Sequence, residues 1–311
     1  MLRRVRPVLA ALLLVACTWA LVAQWNDVRP YLASIGPGAF AGSLAVSMVG
    51  AWFGFAGWRV LLNDVGGQLG VRDGVAVHFA GQLGKYVPGA VWPVVTQATL
   101  GRDRGVPRSV TVAAFVLQML VTLAAGIAVA AVLLPFGDAT ALADRWWLLA
   151  LLPVVVASLH PAVLGRLARL AARVLRRPEA PPTPSAGAIA WAGVLTVISF
   201  ALFGVHLLLL VQPMHPDGDR VLVQVTGAFA LAWAVGFVVI ITPAGLGVRE
   251  VAMTVALSAV LPSGAATAVA LSSRLVLTAT DLVWGAVSMA LLANDRRRRA
   301  QPSVLGRIRD T

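Results

Sequence analysis

The chain has 311 residues, of which 59% are hydrophobic and only 12% charged, and its mean hydropathy is +0.84. Water-soluble domains carry about 25% charged residues, so this composition excludes one and places the chain in a bilayer as an all-α polytopic protein. The net charge of +12 is spread over loops instead of forming one patch, which argues for orientation in the membrane and against nucleic acid.

The N-terminus, M-L-R-R-V-R-P followed by an apolar run, resembles a signal peptide, and Leu14-Val15-Ala16-Cys17 resembles a lipoprotein cleavage box. The run continues past Cys17 to Ala23, so an uncleaved first span over 5–23 is expected. Cys17 is the single cysteine and excludes an internal disulfide or a cysteine-based metal cluster. A short loop with Asp27 and Arg29 leads to span two over 39–62, whose Gly42, Ser43, Ser47, Gly50, Gly54 and Gly57 suit close helix packing in lipid.

The stretch 75–100 contains G-Q-L-G-K-Y-V-P-G-A-V-W-P and is broken in the middle by Pro88 and Pro93, with Gly81, Gly84 and Gly89. The loops on both sides are basic, so this segment is expected to enter and return on one side as a re-entrant hairpin. Spans three and four follow over 109–134 and 146–159. The connection 165–185 carries Arg166, Arg169, Arg173, Arg176 and Arg177, then E-A-P-P-T-P-S. It reads as a basic amphipathic helix on the membrane surface or as a solvated linker, and it divides the chain into halves 1–164 and 186–292.

Span five covers 186–211. A second broken segment, 221–261, is interrupted by I-I-T-P-A-G-L-G-V-R-E, in which Pro243, Gly245 and Gly247 stop one helix and start another near Gly247. Its two apolar runs are each short for a crossing, which takes about 20 residues. The last span covers 265–292, and 293–311 form a basic tail. Of the 25 Lys and Arg residues, three fall in outer loops (Arg29, Arg145, Arg220) and three at membrane depth (Lys85, Arg249, Arg274), leaving 19 inside. This asymmetry puts both termini in the cytoplasm. The first broken segment then dips from inside and the second from outside, an inverted repeat of the kind transporters use.

The motifs G-Q-L-G-K-Y-V-P-G-A-V-W-P and P-A-G-L-G-V-R-E, extended by Arg274 and Asp281 in the last span, resemble the flippase-like membrane family that includes the transmembrane region of bacterial lysylphosphatidylglycerol synthases. The resemblance covers nearly the whole chain. Only about 19 residues follow Leu292, so it implies the lipid-translocating half of such proteins and not lysyl transfer. It implies as substrate an aminoacyl-lipid or a polyprenyl-phosphate-linked sugar, in a bacterial-type plasma membrane.

Arg249 is the leading candidate for contact with a lipid phosphate. A cation in the first turn of a half-helix opposes the local dipole by about 0.3–1 kcal/mol, and an anionic ligand removes that conflict. Glu250 suits the helix start as a cap, a partner of Arg274 or a proton carrier. Arg274 and Asp281 share one helix face with Thr278 and are expected to form a structural ion pair. In the first broken segment His78, Gln82 and Lys85 fall on one helical stripe. Lys85 could meet a phosphate from the cytoplasmic side, with Tyr86 and Trp92 as headgroup cradle or aromatic belt. No catalytic, cofactor or metal-ligand pattern is present among His78, His160, His206 and His215.

Three functions remain: a lipid translocator, a membrane-embedded glycosyl- or phosphotransferase using Glu250 or Asp281 as base, and a non-transporting partner of a lipid-modifying transferase. No nucleotide site is found, so transport would be driven by a gradient or run downhill.

Overall fold

The computed structural model describes residues 25–87, 91–136, 149–166, 183–214, 220–238, 245 and 247–300. Among them the regular elements are helices. These are α1 (Trp25–Ser34), α2 (Pro37–Asp64), α3 (Val71–Leu83), a 3-10 turn (Gly84–Tyr86), α4 (Trp92–Arg102), α5 (Arg108–Phe136) and α6 (Leu151–Ser158). There follow α7 (Ala186–Val211), α8 (Val221–Val238), α9 (Val248–Leu257) and α10 (Ser263–Ala300).

Helix limits follow local chemistry. Pro37 opens α2 at a position where its missing N–H is not needed, and Gly66 beyond its end takes φ +93°. Ser185 caps α7, its Oγ accepting from the Ala188 N–H at 3.1 Å. The same hydroxyl and the Ser185 N–H donate to Asp64 at 2.8 and 2.6 Å, fastening the end of α2 to the start of α7.

Among the described residues, five helices are long and apolar enough to cross a membrane: α2, α5, α7, α8 and the Ser263–Asp295 part of α10. The protein is therefore a multi-pass membrane protein. Four of these match the expected spans at 39–62, 109–134, 186–211 and 265–292 closely. The expected first span and the cleavage box lie outside the described residues, as does most of the basic connection, 167–182. Of the expected fourth span, α6 covers Leu151–Ser158.

Three expectations are corrected. Residues 25–34, read as a loop, form α1, because Val28 is fully buried and the chain at Asp27 packs on α10. A β-carbon at Gly264 would stand 2.7 Å from the Asp27 carbonyl. The arm α8 has 18 residues and qualifies as a span, while α9 has only ten, so the second broken segment is unequal where two short arms were expected. The last helix runs on through Ala300, past the limit expected at residue 292.

Packing follows the small-residue stripe on α2. Ser199 Oγ of α7 donates to the Gly50 carbonyl at 2.8 Å, and Phe203 and Leu202 cover Gly50. Such close backbone approach is what small residues allow in lipid, where there is no hydrophobic force between helices. One buried cluster joins α5, α7, α8, α9 and the start of α10, and a second joins α2, α3, α5 and α7. Helix α10 touches α1, α2, α3, α7 and α9, so it connects the two halves of the chain.

Candidate functional site

The second broken segment turns back on itself between α8 and α9. Gly245 (φ +69°) and Gly247 (φ +83°) hold left-handed backbone that other residues adopt only under strain. Gly247 precedes α9, and the Glu250 carboxylate reaches back to accept its N–H at 2.6 Å. This is one half of a capping box, since glycine has no side chain to return the bond. The other carboxylate oxygen lies 3.6 Å from Arg274 Nε of α10.

Arg249, the second residue of α9, lays its stem against α8. A β-carbon at Gly236 would meet Arg249 Cγ at 2.4 Å, so glycine there is what admits the side chain. The guanidinium lies 5.4 Å from the centre of the Trp233 ring, within cation–π range. Arg249 Nε is buried with no hydrogen-bond partner, an unusual state for a charged donor. Phe229, Trp233, Met253 and Leu277 wall a cleft around Arg249, Glu250 and Arg274. Its free volume is about 20 Å3, on the scale of one water molecule.

The first broken segment turns between α3 and α4. A β-carbon at Gly84 would stand 2.8 Å from Pro93 N, so the two arms approach as only glycine permits. Beyond it, Lys85 Nζ lies 2.7 Å from Asp281 Oδ2 of α10. Tyr86 Oη donates to the same oxygen at 2.5 Å.

Arg274 and Asp281 are seven residues apart, about 10 Å along the helix axis, in the middle of the apolar stretch Ser263–Asp295. The turns of both broken segments therefore reach α10 within two helical turns of each other. Arg274 and Asp281 do take part in ion pairs, but the partners are on the broken segments: Glu250 for Arg274, Lys85 for Asp281. The expected pairing along one helix face gives way to two tethers across the bundle.

The expected stripe of His78, Gln82 and Lys85 does not form one surface. His78 is 6% exposed and packs among Phe55, Trp58 and Phe79, with ring centres 5.0–5.6 Å away. Gln82 is half-buried near the end of α3. Trp92, at the first position of α4, is 44% exposed, and its backbone packs against Gly84.

Residues 8–285 match the family described as the lysylphosphatidylglycerol synthase TM region. The chain belongs to this family. No curated protein matches it. For a member of the lysylphosphatidylglycerol synthase TM family, a membrane setting tied to lipid is thus established, and the charged cluster on α10 is its candidate centre.

Some members of that centre escaped sequence reasoning. Phe229, Trp233 and Gly236 fall at i, i+4 and i+7 on α8, one face presented to Arg249, and this spacing was available in the sequence. A buried polar chain was not legible. Ser273, on the cleft wall, hydrogen-bonds His206 Nε2 at 2.9 Å, and His206 Nδ1 pairs with Ser43 Oγ at 2.5 Å. It joins α10, α7 and α2, residues distant in sequence.

Proposed function

We propose that this member of the family is a lipid translocator that takes the phosphate of a lipid headgroup between Arg249 and Arg274. The observation that carries the reading is the buried, unpartnered Nε of Arg249 at the start of a half-helix, beside a second arginine. Helix-end donors, the dipole and guanidinium groups all favour phosphate. A charge placed at membrane depth against its local dipole marks function. The substrate class is an aminoacyl-phospholipid or a polyprenyl-phosphate sugar.

The reading includes the topology: six spans and two re-entrant hairpins in an inverted repeat, both termini cytoplasmic, in a bacterial-type plasma membrane. Support comes from the two broken segments, each a pair of packed helices whose turn is tethered to the centre of α10. The same observation supports a non-enzymatic role. Glu250 and Asp281, the carboxylates a transferase would need as base, are engaged by Gly247 with Arg274 and by Lys85 with Tyr86. A cleft of about 20 Å3 admits no headgroup, so transport requires the hairpins to part. That narrowness also favours a second reading, a non-transporting partner of a lipid-modifying transferase.

Transport decides between them. In reconstituted vesicles, headgroup exposure of aminoacyl-lipids and polyprenyl-phosphate sugars is followed with Arg249→Ala and Arg249→Lys. The alanine variant should be folded, inserted and inactive. The lysine variant, which lacks the bidentate fork, should be slow. Full activity without Arg249 rejects the phosphate site, and an inactive wild type supports the partner reading.

A further inference from the structure

At the far end of α10 from the Arg249 cleft, four charged residues form a second cluster. Asp295 Oδ1 accepts from Arg72 at 2.7 Å, and Asp295 Oδ2 accepts from Arg104 at 3.1 Å. Arg104 Nε also donates to Asp73 Oδ1 at 2.9 Å. Arg72 and Asp73 open α3, and Arg104 follows α4, so the cluster joins both ends of the first hairpin to each other and to α10.

This cluster lies beyond the anion cleft and does a different task. Helix α3 runs antiparallel to α10 with contacts at successive levels. Arg72 meets Asp295, the Val75 carbonyl accepts from Ser288 Oγ at 3.1 Å, and Phe79 stacks on Trp284 at 4.5 Å. Leu83 then covers Gly285, and Lys85 meets Asp281. Between the ion pairs at either end, the seam is mostly apolar or shared between uncharged groups. In lipid such contacts separate readily, because hydrocarbon tails cover apolar surface equally well. The charged ends therefore set whether the seam is closed.

We propose that Asp295 is the keystone of an ion-pair latch that holds the base of the first hairpin shut against α10, and that its release opens a path along α3 toward Lys85. The side chains differ in access in the way a latch requires. Arg104 is only 10% exposed and is fixed by Asp73, while Arg72 is 43% exposed and free to leave. Exposed pairs are weak and screened by salt, and partly buried ones less so. A latch of this composition is poised to open and close again. That it faces the cytoplasm rests on the topology reading above; that it closes the seam rests on the contacts alone.

Ser288 is the reporter. It is fully buried and lies two turns from Asp295 on the same helix, and Ser288→Cys is a near-isosteric change. In a Cys17→Ser background, full-length protein in vesicles is treated with a membrane-impermeant thiol reagent from each side. With the latch intact, labelling at 288 should be slow and should quicken with salt. Asp295→Asn should raise its rate by about tenfold, the change that ~1.4 kcal/mol produces, and should remove the salt dependence. Arg72→Gln, a change at an exposed residue, should raise the rate less. It keeps the test valid if Asp295→Asn does not fold.

A rise seen only from the cytoplasmic side supports both latch and topology. A rise seen only from the outside supports the latch and overturns the side assigned to it. Fast labelling with the latch intact, or an unchanged rate in a folded Arg72→Gln and Asp295→Asn pair, overturns the latch whatever the topology.

Discussion

Lys85 and Asp281 meet at 2.7 Å although 196 residues separate them in sequence. The pair ties the turn of the first broken segment to the middle of α10. Its side chains are 31% and 18% exposed, so its worth lies between the surface and buried limits. Removing one partner should cost about 1–3 kcal/mol, chiefly by stranding the other charge. Lys85→Met and Asp281→Asn should each lower the unfolding temperature in detergent. The double variant should cost less than the two singles together. Strict additivity would show that the two charges do not couple.

Glu250 has two separable tasks. One carboxylate oxygen accepts from the Gly247 N–H, and the other faces Arg274. Glu250→Gln keeps an oxygen for the cap but loses the charge, whereas Glu250→Ala loses both. Cap loss alone costs about 0.5–2 kcal/mol, so the alanine variant should be less stable than the glutamine variant by that margin. Equal stability in thermal unfolding would remove the cap from the account of α9.

What the sequence made legible follows from range. Spans α2, α5, α7 and α10 are long apolar runs, and such runs announce themselves locally. The start of α9 beside Gly247 was legible too, because glycine and proline act on their own dihedrals. Helix α1 was not. Asp27, Arg29 and Pro30 make 25–34 read as a polar loop, and its helicity rests on burying Val28 under α10. Likewise the charged residues could be named, and Glu250 was among the readings for a partner of Arg274, but Asp281 could not be given Lys85, which comes from a segment 196 residues away.

Gly236 offers a steric test of the Arg249 site. A β-carbon there would fall 2.4 Å from Arg249 Cγ, inside any real contact. Gly236→Ala should therefore displace the arginine stem and cost about 1–3 kcal/mol through overpacking. Gly193 on α7 is the control, because a β-carbon there meets nothing within 4 Å. Gly193→Ala should be neutral or stabilise by about 0.5–1 kcal/mol. Similar thermal shifts for the two variants would refute the packing of Arg249 against α8.

The unequal arms of the second broken segment make its topology testable. Helix α8 has 18 residues, about 27 Å, and α9 has ten, about 15 Å. Because Arg249 at the start of α9 packs on Gly236 near the end of α8, the chain must turn back there and climb beside α8. Helix α10 then starts at Ser263, and Gly264 packs on Asp27 of α1, a segment expected outside. Residues 217 and 263 should therefore face the same outer side, although a helix long enough to span lies between them. In single-cysteine variants on a Cys17→Ser background, an impermeant thiol reagent applied to intact cells should label Asp217→Cys and Ser263→Cys. Arg297→Cys, at the end of α10 that the proposed topology places in the cytoplasm, should stay protected until the membrane is broken. Labelling of residue 217 without residue 263 would mean that α8 crosses and does not return, and the inverted-repeat topology would fall with it.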